Sequence, residues 1–277
     1  MKETIGVIGH TGVTGKAVFN WFKKQGYPVM GYSLDRYTHS WDEINNQAEW
    51  IFVCVPTPYD WQKKEVNLSI LEEVLKKIKS GKKVIHKSTV PPGTTQKLQN
   101  KFIDLKLLYN AEFLSGATAE ADFSCPDRQL VGYTTYSYNI ATEALNLLPE
   151  SPYGVIMKAT EVEICKFINN FHGALMVIFS NFFYDISNKF NDLDFEKIKK
   201  AASASKWVGS PMKKQYWNVW SGGFRGYGGR CFLKDIKMLL DWCKANGVSD
   251  EILKATRKAN KRLLKEQGIT EQEAEKR

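Results

Sequence analysis

Apolar residues in the first half of the chain fall into short unbroken runs separated by segments of helical spacing. Ile5–Ile8, Val29–Ser33, Trp50–Val55, Val84–Ser88, Leu105–Tyr109 and Gln129–Tyr133 read as strands. Runs with little polar alternation belong to strands covered on both faces. Between them, 16–25, 68–78 and 94–102 carry the three- and four-residue spacing of helices. Strands alternating with helices predict an α/β fold, a Rossmann-like doubly wound parallel sheet, over residues 1–155.

The second half changes period. From Thr160 to Asn188 one apolar row runs through Val162, Cys165, Ile168, Phe171, Leu175, Ile178 and Phe182. A second row, Ile164, Phe167, Ala174 and Val177, widens it. A helix apolar on two sides is buried on two sides, here against its own domain and against a second copy of the chain. Shorter helices are expected at 194–204, 232–246 and 249–266. The picture is an α-helical domain over 156–266, built on a long central helix and expected to mediate a homodimer. Residues 267–277 read as a polar tail that frays.

Composition narrows the function classes. No apolar run in the sequence approaches a membrane span, so no membrane partner is expected. The chain enters a strand pattern at once, without a signal-peptide pattern. The five cysteines, at 54, 125, 165, 231 and 243, form no CxxC pair, which points to reduced thiols and a cytoplasmic setting. The net charge of +9 comes from lysines scattered along helices. No nucleic-acid motif accompanies them, and a basic surface suits an anionic nucleotide sugar or a dinucleotide equally well.

Two stretches carry candidate chemistry. Gly9-His10-Thr11-Gly12-Val13-Thr14-Gly15 joins the first strand to the first helix. Glycines there allow a tight turn and close approach of a pyrophosphate to the helix N-terminus. At the end of the second strand, Asp35 suits the adenosine ribose of NAD, whereas Ser33 with Arg36 would suit the 2′-phosphate of NADP. NAD is the preferred cofactor and NADP the alternative. The second stretch is Gly226-Tyr227-Gly228-Gly229-Arg230-Cys231-Phe232-Leu233-Lys234-Asp235. A lysine near a cysteine favours thiolate, and Asp235 would lie one helical turn beyond it if a helix starts here. The plainer reading is a core cysteine after a glycine-rich turn.

In combination the motifs resemble the UDP-glucose/GDP-mannose dehydrogenase family across roughly residues 4–265. The resemblance rests on the glycine loop, Val53-Cys54-Val55-Pro56-Thr57-Pro58, Lys87-Ser88-Thr89-Val90-Pro91-Pro92-Gly93-Thr94-Thr95, Asn110-Ala111-Glu112-Phe113-Leu114 and the glycine–cysteine stretch. It implies two successive hydride transfers to NAD from the C6 alcohol of a nucleotide sugar, with UDP-glucose the preferred substrate. Cys231 would capture the aldehyde and carry the thioester. Lys166 and Asn170, four apart on the long helix, would stabilise the oxyanion and orient substrate or water. Asp235 and Thr89 would activate and hold water, and Glu112 is a further catalytic candidate. Cofactor contacts would come from Gly9, Thr11, Gly12, Val13, Gly15, Ser33, Asp35, Arg36, Val55, Thr57, Ser88 and Lys234. Substrate contacts would come from Phe113, Leu114, Gly228 and Gly229. No metal is implied.

The chain departs from the family pattern in four places. Gly116 stands where a second glutamate is usual, an acid implicated in thioester hydrolysis, with Glu112 or Glu120 as stand-ins. The connection from Asp35 to Trp50 is short. Trp207 replaces a usual arginine. The sequence ends soon after Asn260, before the C-terminal nucleotide-binding domain of full-length relatives. Two other readings stay open: a single-step dehydrogenase of the β-hydroxyacid type, and a non-catalytic nucleotide- or sugar-binding protein.

Overall fold

The computed structural model describes residues 2–63, 65–205 and 216–276. The chain forms two compact units, Met1–Lys166 and Phe167–Arg277. In chain order the first unit holds β1 (Ile5–Ile8), α1 (Val13–Lys24), β2 (Val29–Tyr32), α2 (Trp41–Gln47), β3 (Trp50–Val53) and a small hairpin of β4 (Tyr59–Asp60) and β5 (Glu65–Val66). Then come α3 (Ser69–Lys77), β6 (Lys83–His86), α4 (Thr94–Lys101), β7 (Lys106–Tyr109), α5 (Ala119–Ser124), β8 (Gln129–Tyr133), α6 (Ala141–Leu147) and β9 (Gly154–Lys158).

Seven of these strands make one sheet in the order β2-β1-β3-β6-β7-β8-β9. β1 sits between β2 and β3, with Ile5 opposite both Val29 and Trp50 in parallel register. All four residues of β1 and of β3 are buried. One face packs Val18, Phe22, Phe52 and Leu108 together, and the other packs Ile51, Leu71, Leu75 and Leu107. Two covered faces are why these strands lack polar alternation.

The sheet is not parallel throughout. β8 runs antiparallel to β7, meeting it at Tyr109 and Gly132, and β9 then pairs parallel to β8. β9 escaped the sequence reading although it holds the apolar run Val155-Ile156-Met157; its residues are exposed or half-buried rather than covered on both faces. α2 was hidden by its polar sequence and is held by a capping box between Ser40 and Glu43.

A 29-residue helix, α7 (Ala159–Ser187), leads into the second unit. α8 (Phe195–Ser203), α9 (Gly229–Asn246), α10 (Glu251–Glu266) and α11 (Glu271–Lys276) follow. Two expectations need correcting. α7 is long and apolar enough to cross a membrane, its best 18-residue window having a mean hydropathy of 1.2. Its buried polar residues are nevertheless bonded inside the protein: Ser180 donates to the Trp217 carbonyl and Asn181 to that of Val177. Residues 267–277 do not simply fray. Thr270 and Glu273 cap α11 reciprocally, Arg257 makes a two-pronged ion pair with Glu271, and Ala274 is fully buried.

Candidate active site

In the first unit the glycine loop is shaped by close backbone approaches. A Cβ on Gly15 would lie 2.0 Å from the Gly9 carbonyl oxygen, and one on Gly9, whose φ is +86°, would lie 2.3 Å from that of Cys54. Gly12 is at the N-cap of α1 and has no side chain with which to satisfy the first-turn N–H groups. Thr11, Gly12 and Val13 are exposed. Uncapped N–H groups at the positive end of a helix dipole fit a dinucleotide pyrophosphate.

The end of β2 folds back on this loop. The Ser33 hydroxyl accepts from the Thr11 N–H at 3.2 Å and shares a proton with His10 Nδ1 at 3.1 Å. Asp35, exposed, accepts from the Thr11 hydroxyl at 2.9 Å. That bond holds its carboxyl below the usual carboxylate range. Arg36, also exposed, offers its carbonyl to the Ser33 N–H. Further along the sheet, Thr57 donates to the Thr89 carbonyl at 2.7 Å and Ser88 to the Val55 carbonyl at 2.6 Å. These bonds tie the turns after β3 and β6 together.

At the start of α7 the buried Lys166 ammonium donates to the Glu112 carbonyl at 2.5 Å and to its carboxylate at 3.3 Å. Two cations approach Phe113, the Arg128 guanidinium at 4.0 Å and the Lys166 ammonium at 5.6 Å from its ring centre. Leu114 packs, half-buried, against the core.

Three residues to which the sequence gave no role support this cluster. Buried Lys87 donates to the Asn110 side chain and, at 3.3 Å, to its carbonyl. Desolvation pushes the Lys87 ammonium down to about 8, with Cys54 and Glu112 opposing and Lys166 adding to the shift. Asn110 in turn donates to Gln129 and Leu130 at the neighbouring strand. Glu163, fully buried one turn before Lys166, accepts from Gly93 N–H at 2.5 Å and from Thr95 N–H and hydroxyl at 2.7 and 2.6 Å. Burial raises its carboxyl, and these donors oppose the shift. Lys87 and Asn110 each stand in a quoted motif, but nothing local paired them, and nothing local marked Glu163.

In the second unit Cys231 is exposed in the first turn of α9, where the helix dipole favours an anionic sulfur. One turn on, Asp235 is buried, and one of its oxygens accepts from the Asn170 side chain at 2.5 Å. The other accepts no hydrogen bond among the described residues, and Lys234 Nζ stands 3.4 Å from it. Gly228 is the N-cap and Gly229, with φ +70°, the first residue of α9. Thus Cys231, Lys234, Asp235 and Asn170 gather in one unit, and Lys166 with Glu112 in the other. Trp207 lies outside the described residues. Among the described residues no cluster of His, Cys, Asp and Glu is arranged to hold a metal.

Residues 31–146 match the NAD binding domain, and residues 160–262 the central domain, of the UDP-glucose/GDP-mannose dehydrogenase family. The chain belongs to that family. It is 31% identical over 217 residues to a UDP-glucose 6-dehydrogenase of Campylobacter jejuni, covering 76% of this chain and 53% of that protein. With a UDP-glucose 6-dehydrogenase of Rickettsia felis the identity is 26% over 260 residues, covering 86% and 56%. The chain thus spans about half the length of these relatives. Its fold superimposes on a UDP-glucose dehydrogenase from Pyrobaculum islandicum with a TM-score of 0.81 at 23% identity, covering 95% of this chain and 68% of that one.

Set within the family, the departures acquire a geometry. Gly116 is exposed, and a Cβ built there meets nothing within 4 Å, so a side chain would fit. Glu120, one of the two stand-ins, is taken up on α1 by Asn20 at 3.1 Å and Lys16 at 3.5 Å. Glu112 is the acid that contacts Lys166. The family match begins at residue 31, after the glycine loop.

Proposed function

We propose that the protein is an NAD-dependent nucleotide-sugar 6-dehydrogenase that oxidises UDP-glucose to UDP-glucuronate. The observation that carries the reading is the buried Asp235, one turn beyond exposed Cys231, with one oxygen held by Asn170 and the other 3.4 Å from the Lys234 ammonium. A carboxylate fixed by an amide and a cation, one helical turn from a cysteine, is placed to act as a general base toward a reacting water.

Two NAD molecules, bound in turn with the first released as NADH, would each accept one hydride. The loop Gly9–Gly15, with Thr11, Gly12 and Val13 outermost, would hold the NAD pyrophosphate, and Val55, Thr57, Ser88 and Lys234 would line its path. Asp35 would hold its ribose, favouring NAD. Ser33, the alternative anchor for a 2′-phosphate, is already committed to His10 and Thr11.

The first oxidation removes hydride from C6 and the hydroxyl proton, leaving an aldehyde. The Cys231 sulfur forms a bond to C6, and the carbonyl electrons move to oxygen. Lys166 stabilises that oxyanion, and Asn170 orients the sugar. The second oxidation removes the remaining hydride and leaves a thioester. Water held by Thr89 loses a proton to Asp235 and adds to C6. The C–S bond breaks, the sulfur leaves as thiolate, and the acid is released. Phe113, Leu114, Gly228 and Gly229 would border the substrate. The exposed apolar residues of α7, among them Ile164, Ile168, Phe182 and Ile186, support a homodimer through this helix, which sedimentation would test.

The deciding experiment mixes protein, NAD and UDP-glucose without oxygen, following NADH by absorbance and Cys231 by intact mass, with Cys231→Ala alongside. Sustained NADH formation that is lost in Cys231→Ala supports the full cycle. A single burst with mass added on Cys231 supports capture and places the block at hydrolysis. No NADH and no adduct would overturn the UDP-glucose reading.

A further inference from the structure

The loop that delivers Cys231 is held by two side-chain amides from the far end of the second unit. Asn260, fully buried on α10, accepts from the Tyr227 N–H at 2.7 Å and donates to the Tyr227 carbonyl at 3.0 Å. Gln267, the C-cap of the same helix, accepts from the Arg225 N–H at 2.8 Å and donates to the Arg225 carbonyl at 3.0 Å. Each carboxamide therefore satisfies both backbone groups of one residue, as a neighbouring strand would. The spacings match. Positions seven apart on a helix share a face, and here they meet two loop residues on either side of Gly226.

The rest of the loop is shaped to this pairing. Gly226 lies between the two rungs with φ +98°, and a Cβ there would come within 2.5 Å of Asn260 Oδ1. The Arg225 guanidinium is fixed separately by Asn181 at 3.1 Å, by Asp185, and by the Tyr184 ring at 4.9 Å. Four residues after the second rung comes Cys231.

We infer that Asn260 and Gln267 are positioning residues of this enzyme, a two-rung amide ladder that sets where the Gly226–Cys231 loop presents its sulfur. The inference rests on the reading of Cys231 as nucleophile, and its test includes an arm that needs no turnover. Asn260→Leu and Gln267→Met each remove both bonds of one rung at similar volume. In the full chain, the rate of Cys231 alkylation by iodoacetamide would be followed by intact mass, with Cys231→Ser to assign the site. NADH turnover with UDP-glucose and the NAD dissociation constant would be measured beside it.

Each variant should change the alkylation rate by about threefold or more and lower kcat by about tenfold, with NAD affinity within about twofold, since small misplacements of a reacting atom cost rate steeply. Alkylation rates within about twofold of the parent for both variants, with only the melting temperature lowered, would overturn the inference and leave the amides as fold supports. If Asn260→Leu does not fold, the half-buried Gln267→Met carries the test. If the parent makes no NADH, the alkylation arm still decides the ladder, and the functional reading fails separately.

Discussion

The chain has two glycine-rich loops before helices, and they are built by opposite means. The first, before α1, is braced by backbone: Gly15 against the Gly9 carbonyl, and Gly9 against the Cys54 carbonyl at the end of the adjacent strand. The second, before α9, is braced by side chains and a helix far along the chain, namely Asn260, Gln267 and the Ala274 carbonyl. A loop braced by its own sheet has one shape. A loop braced by remote amides can be adjusted one residue at a time, which suits the element proposed to carry the nucleophile rather than the one proposed to hold the cofactor.

Substitutions break this comparison with unequal force. Gly15→Ala should be the most damaging, because its Cβ would lie 2.0 Å from backbone that cannot retreat. A loss of about 3 kcal/mol or more is expected in denaturant unfolding, together with loss of NAD binding. Behind the first loop, Lys87 sharpens the contrast through pH. Its folded-state value of about 8 lies below the unfolded 10.5, so the folded state gives up a proton that the unfolded chain keeps. Stability attributable to this group is therefore lowest below pH 8 and rises from there to 10.5. Against Lys87→Met, the parent should gain on the order of 3 kcal/mol across that window; a constant difference would refute the assignment.

Gly228→Ala should cost less. Its Cβ would lie 2.5 Å from the Ala274 carbonyl and 2.6 Å from the Phe224 ring, but the short α11 can shift. About 1–2 kcal/mol is expected in thermal unfolding, with NAD affinity unchanged. Gly116→Glu should change stability by no more than about 0.5 kcal/mol. Its effect should appear in chemistry, as faster decay of the mass adduct on Cys231.

The same contrast explains what the sequence revealed. β1, β3, β6 and β7 announced themselves because burial on two faces leaves unbroken apolar runs such as Ile5–Ile8. The four-residue spacings Cys231 to Asp235 and Lys166 to Asn170 were legible because helical period alone puts such pairs on one face. β9 and α11 were not legible: one is half-exposed, and the other is polar except where Ala274 docks. Glu163, Asn260 and Gln267 stayed silent for a different reason. Their partners are mainly backbone groups distant in sequence, and a spacing pattern records no such pairing.

Glu163 bears on how this chain can change length. Its carboxylate fixes α7 against Gly93 and Thr95, while Lys166 meets Glu112 from the next turn. One residue inserted between positions 163 and 166 would leave the anchor in place and swing the lysine by about 100° around the helix axis. Insertions and deletions in that turn are thereby barred, while its outward-facing positions remain free to vary in identity.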